Sequence, residues 1–179
     1  MAPTVSNVFR RAADQGLILG GCLTALFVLM ALSARTALAG LLAVVLILAV
    51  PVLVYVLLRR SYEADHRETS LSALCTQGIY TFLFGSLLMA MCAYLYLKFV
   101  EPQYALTRME DVVSVGSVSD SPYLRDMAEQ FRSMIDRGMI PGAKDIAMSL
   151  FWCAAFTGSV LAILVSLLIK MVAKPTNKH

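Results

Sequence analysis

Uncharged, mainly apolar stretches alternate with short charged ones along this chain. Four runs without Asp, Glu, Lys, Arg or His cover residues 17–34, 36–58, 69–97 and 146–169. A helix rises about 1.5 Å per residue, so each run can cross a hydrocarbon core of about 30 Å. The pattern predicts four membrane-spanning helices at about residues 15–34, 36–58, 71–99 and 147–170, in one membrane domain over residues 1–179. The third run is longer than a span needs, and its hydroxyl-rich start predicts Thr69 or Ser70 as the helix N-cap.

The polar segments predict how the spans connect. The turn Ser33-Ala34-Arg35-Thr36 is short enough to force spans one and two into an antiparallel hairpin. The link from Arg59 to Glu68 is mixed in charge, with a basic pair near Tyr62 that reads as a headgroup anchor. An outer loop over residues 101–146 joins spans three and four. Within it, Asp120-Ser121-Pro122 reads as a helix start with Pro in the first helical position, and Gly138 then Pro141 as its stop. Leu124, Met127, Ala128, Phe131, Met134 and Ile135 recur between them at helical spacing. The expected fold class is thus all-α, an integral membrane four-helix bundle. Its long outer loop carries an amphipathic helix that lies on the membrane surface or over the bundle mouth.

Composition sharpens the exclusions. Hydrophobic residues make up 59% of the chain and charged residues 15%, far from the soluble averages of about half and a quarter. The polar remainder is too small for a separate catalytic domain. The net charge of +3 comes from clusters flanking the spans, which argues for lipid headgroups and against nucleic acid as a partner.

Arg10, Arg11, Arg59, Arg60, Arg67, Lys170, Lys174 and Lys178 lie in the segments before span one, between spans two and three, and after span four. The positive-inside rule then places both termini in the cytoplasm and the long loop outside. Arg10-Arg11 before an apolar run that ends near Ala-Leu-Ser-Ala or Ala37-Leu-Ala-Gly40 has the look of a cleavable signal peptide. The long, Asp14-containing lead-in and the immediate second span favour an uncleaved helix instead.

Helices in lipid associate through small residues that let backbones approach. Span one carries Ala12, Gly16, Gly20 and Thr24 at a spacing of four, and span four carries Ala154, Gly158, Ala162 and Ser166. These stripes are the candidate surfaces for helix packing or partner contact. Leu124, Met127, Phe131 and Ile135 are the candidate docking face of the outer helix. Pro51 removes one backbone donor from span two and is expected to bend it.

Chemistry is sparse. His66 and His179 have no metal-ligand set around them, and Cys22, Cys75, Cys92 and Cys153 lack paired spacing. Glu110 and Asp111 read as loop acids. No catalytic residue, cofactor or metal is expected. Ion- or proton-coupled transport would call for an intramembrane charge, and the runs hold none. Lipid handling needs no such charge.

The segment Tyr94-Leu-Tyr96-Leu-Lys98-Phe99-Val-Glu101-Pro102-Gln-Tyr104 resembles the Tyr-x-Tyr-x-Lys-Phe-Ile-Asp-Pro-x-Phe signature that closes the third span in a domain-of-unknown-function family. That family comprises four-helix inner-membrane proteins common in Bacteroidetes. Gly16-Leu-Ile-Leu-Gly20 is similar to its entry into span one. Val100-Glu101 replaces the Ile-Asp of the signature, a mild departure. The resemblance implies a topology and no activity. It also suggests, by gene neighbourhood, membrane-bound glycosyltransferases that use polyprenyl-phosphate sugars as a partner class.

The expected function is therefore a non-catalytic accessory or scaffolding subunit of a cell-envelope complex, with such a glycosyltransferase or a second copy of the chain as partner. The alternative is a small lipid or polyprenyl-lipid transporter with a groove near Pro51. A third class, an enzyme using Glu110, Asp111 or His66, is disfavoured.

Overall fold

The computed structural model describes residues 5–33, 36–64, 70–119 and 121–172, with backbone alone for residues 5–8. Among the described residues there are six helices and no strand. They are α1 (Val5–Leu32), α2 (Ala37–Ala64), α3 (Leu71–Phe99), α4 (Tyr104–Val118), α5 (Pro122–Asp136) and α6 (Ala143–Val172). Four contain stretches long and apolar enough to cross a membrane: Phe9–Leu32, Ala37–Ala64, Leu71–Phe99 and Ala143–Val172. On length and composition this is a membrane protein.

The ends follow local chemistry. Ser70 caps α3, its Oγ accepting from the Ala73 amide at 3.2 Å. Thr69, the other candidate cap, lies outside the described residues. Asp145 reaches back from the first turn of α6 to accept from the Gly142 amide at 3.1 Å. At the end of α5, Gly138 takes φ +67°, a region that L side chains avoid. Its amide donates to Ile135 O, and the Met139 amide donates to Met134 O, each at 2.9 Å, so the helix closes in a Schellman motif.

The helices outrun the spans read from charge alone. The expected link after span two is helical through Ala64, with Arg59 and Glu63 paired one turn apart at 2.8 Å. Residues 65–69 lie outside the described residues. Tyr62, expected at the headgroups, is 6% exposed, and the Lys170 ammonium lies 5.1 Å from its ring centroid.

A larger correction concerns residues 104–118. They form α4, where a loop was expected, and Glu110 and Asp111 are exposed helical residues. Sparse periodicity hid this helix, because its partner is α5 and the contact needs only small residues. A Cβ added to Gly116 would lie 2.5 Å from Leu124 O and 2.6 Å from the Ala128 Cβ.

The chain divides into two compact units, residues 1–91 with 150–179, and residues 92–149. In the first, α3 is the helix that the others share. The buried share of its apolar window is 44%, against 33% for α1 and α6 and 22% for α2. Gly16 and Gly20 of α1 approach Thr81, Gly85 and Leu88 of α3. Gly78 and Phe82 of α3 meet Ala162 and Gly158 of α6, and Leu58 of α2 also reaches Gly78. The α1 and α2 helices pack on each other as well. Leu19, Leu58, Leu74, Ser86 and Ser166 are fully enclosed. Ser86 and Ser166 donate to the carbonyls of Leu83 and Ala162 on their own helices, so burying the hydroxyls leaves no donor unmet. In the second unit, α4 and α5 form a helical hairpin beside the last turns of α3 and the first turns of α6.

Candidate functional site

Among the described residues, two places gather polar chemistry, one in each unit. The first is a buried amide–hydroxyl cluster on α1, α2 and α3. The Gln77 Nε2 donates to Ser61 Oγ at 2.7 Å and to Gln15 Oε1 at 3.0 Å. The Gln15 Nε2 donates to the same Ser61 Oγ at 2.7 Å and to Leu57 O at 3.1 Å. Ser61 and Gln77 are 5% and 3% exposed. An amide offers two N–H donors and a hydroxyl two acceptor sites, so this geometry uses both donors of each glutamine. Among the described residues, no buried side-chain N or O lacks a hydrogen-bond partner. The cluster therefore binds three helices to one another, with the N–H donors of both glutamines spent inside it.

Sequence reasoning missed it by searching the spans for charges. The available signal was neutral: Gln77 is the one glutamine inside the four uncharged runs.

The second place is a cavity of about 190 Å³ at the end of α3. Leu97, Pro102, Ile140, Pro141 and Ile146 supply apolar wall, and Tyr104 begins α4 beside them. Glu101 is the charged residue of the lining. Its Oε2 accepts from the Tyr96 hydroxyl at 3.1 Å. The amides of Val100 and Glu101 both turn back to Tyr96 O, which ends α3 and aims the chain into the Glu101-Pro102 corner.

Here the structure gathers the signature-like residues. Lys98 Nζ lies 5.5 Å from the ring centroids of both Tyr94 and Phe99, a cation–π arrangement. Tyr96 holds Glu101, and Pro102 lines the cavity. Phe99 is 71% exposed.

The small-residue stripes fall elsewhere. Gly16 and Gly20 face α3 at Gly85, and Gly158 and Ala162 face α3 at Phe82 and Gly78. The two stripes thus use different parts of one shared helix. Ala12 is fully buried, and Ala154 is half-buried. On α5, Leu124, Met127, Phe131 and Ile135 are half-buried, and Ala128 between them meets Gly116 of α4.

Among the described residues, no three of His, Cys, Asp and Glu converge as a metal-binding group. Cys22, Cys75, Cys92 and Cys153 are free thiols. Asp111, exposed, lies 3.6 Å from the half-buried Arg108 one turn earlier in α4. His66 and His179 lie outside the described residues.

Neither a curated protein nor a solved structure matches this chain. One family does, over residues 15–171, a stretch that takes in all or most of each span, the α4–α5 hairpin, the polar cluster and the cavity. The chain belongs to the family described as Protein of unknown function (DUF4199).

Proposed function

We propose that this protein is a non-catalytic accessory or scaffolding subunit of a cell-envelope membrane complex. In this reading the four spans form one bundle in a bacterial inner membrane. Both termini are cytoplasmic, and α5 is an amphipathic helix of the outer segment. The observation that carries the reading is the closed cluster of Gln15, Ser61 and Gln77. Polar groups inside a membrane helix commonly mark a substrate path, but here the N–H donors of both glutamines are spent on neighbouring helices. The interior is organised to hold a shape, and the outward faces are apolar, as with Leu41, Val45 and Leu48 on α2 and Trp152 and Phe156 on α6.

The small-residue stripes are taken up by α3, so the partner surface is on those outward faces or on the α4–α5 hairpin. A membrane-bound glycosyltransferase that uses polyprenyl-phosphate sugars is the first partner class to test.

The test is crosslinking in native membranes, followed by affinity purification in mild detergent and quantitative mass spectrometry. A stoichiometric envelope protein that co-purifies is the expected result. A chain that purifies alone and moves lipid in proteoliposomes would replace this reading with the transporter. Reporters active on only one side of the membrane, fused at either terminus and between α4 and α5, check the orientation.

A further inference from the structure

We propose that the paired ends of α2 and α6 bind the headgroup of an anionic glycerophospholipid, one whose phosphate brings no cation of its own, as in phosphatidylglycerol. The inference goes beyond the accessory reading and needs no protein partner. It rests on α2 and α6 crossing the bilayer.

Position is the first argument. Gln15, early in α1, meets Leu57 and Ser61 near the end of α2, and Tyr62 of α2 meets Lys170 near the end of α6. Every described charged residue of this unit lies at these three helix ends; five are basic and two, Asp14 and Glu63, are acidic. Span ends lie where headgroups lie, and a surplus of cations there draws anionic lipid.

A fixed cation is the second. The Lys170 ammonium lies 5.1 Å from the centroid of the Tyr62 ring, and that residue is only 6% exposed, so the platform under the charge is held by packing. Among the described residues no carboxylate pairs with Lys170, and Glu63 is engaged by Arg59 at 2.8 Å. Arg59 stands three residues before Tyr62, on the same side of α2. Of its five N–H groups one goes to Glu63 and one to the Tyr55 hydroxyl, which leaves donors for a phosphate oxygen. A phosphodiester at this level would accept from Lys170 and Arg59 in charge-assisted bonds.

The neighbouring apolar surface is the third. Ile163 and Leu167 share a helical face with Lys170, and Leu48 and Val52 share one with Arg59. All four are exposed, so the acyl chains of a lipid held by its phosphate find an apolar track. Choline and ethanolamine headgroups carry a cation beside the phosphate, which Lys170 and Arg59 would repel. A glycerol headgroup carries none.

The experiment uses the full chain in phosphatidylcholine nanodiscs, with part of the lipid replaced by equal amounts of phosphatidylglycerol or phosphatidylethanolamine. Native mass spectrometry reads the lipid retained on the released protein. The wild type should retain phosphatidylglycerol about fivefold over the other two, or about 1 kcal/mol, the contribution of one basic residue near an anionic surface. Lys170→Gln should lose the preference, and Lys170→Arg should keep it. Arg10→Gln removes the same charge from α1 at the same end and should leave the preference in place. Circular dichroism and thermal unfolding in pure phosphatidylcholine discs verify the fold of each variant. Equal retention of all three lipids by the wild type overturns the proposal and turns the search to an acidic protein segment. A preference that survives in Lys170→Gln overturns it too. So does an equal drop in Lys170→Gln and Arg10→Gln, since the field of the whole end would then act without a site. Stabilisation by inorganic phosphate in pure phosphatidylcholine discs, with no selection among the lipids, would overturn the lipid source. Each of these readouts is independent of whether a protein partner co-purifies.

Discussion

Gln77 of α3 donates to Ser61 of α2 at 2.7 Å, and both residues are almost fully enclosed. Gln15 of α1 donates to the same oxygen, so one serine hydroxyl is the node of three helices. The bond spans sixteen residues of sequence and a connection that carries most of the charge between spans two and three.

Replacing Gln77 with Leu removes two donors from this node and leaves Gln15 Oε1 without that partner. Interhelical hydrogen bonds in membranes contribute about 0.6 kcal/mol on average and up to about 1.7. The expected loss is about 1–2 kcal/mol in reversible unfolding from mixed micelles. A double-mutant cycle with Gln15→Leu should show coupling, and strictly additive effects would mean the two amides act independently.

Gly158 and Gly21 form a matched pair for testing the close helix approaches. A Cβ on Gly158 would overlap the Phe82 ring, whereas one on Gly21 would meet nothing within 4 Å. Gly158→Ala should cost about 1–3 kcal/mol through overpacking. Gly21→Ala should be neutral or stabilising by up to about 1 kcal/mol, the helix-propensity gain. Both values are read from thermal unfolding in detergent. Gly158→Leu should destabilise the chain before any partner is involved, so partner loss in that variant would say nothing about a docking face.

Gly116→Ala addresses the second unit. Its Cβ would press on the backbone of Leu124, which cannot move as a side-chain end can. Hydrogen exchange should accelerate through α4 and α5 and stay unchanged in residues 5–91. Unaltered exchange in the hairpin would show that the two helices separate without cost.

Gly138→Ala places a side chain at φ +67° and should destabilise the end of α5 by about 1–2 kcal/mol. Gly138→Asn should lose less, because Asn visits that region more readily. The measurement is exchange at the Met139 amide, whose bond to Met134 closes the motif.

Much of the architecture was legible in the letters because bilayer crossing is a constraint on local composition. Length and the absence of charge mark α1, α2, α3 and α6, and Ser70, Pro122 and Gly138 mark ends through purely local bonding or conformation. The α4 helix was illegible because only its pairing with α5 gives the small residue Gly116 a meaning. The candidate site was harder still. Glu101 and Pro102 stood out in a motif, yet the cavity they line also needs Ile140, Pro141 and Ile146, far along the chain beyond α4 and α5.

By itself, then, the sequence determined which segments can enter lipid and where several of them stop, since each depends on neighbours within a few residues. Only the tertiary structure decided that α3 is the helix the other three spans share. It decided too that the stripes of α1 and α6 meet α3 at different positions, and that Gln15, Ser61 and Gln77 close a single cluster. The physical reason is that an apolar helix has no hydrophobic preference for one lipid-compatible neighbour over another. Steric fit at glycines and a few buried hydrogen bonds make that choice, and both exist only once the helices have met.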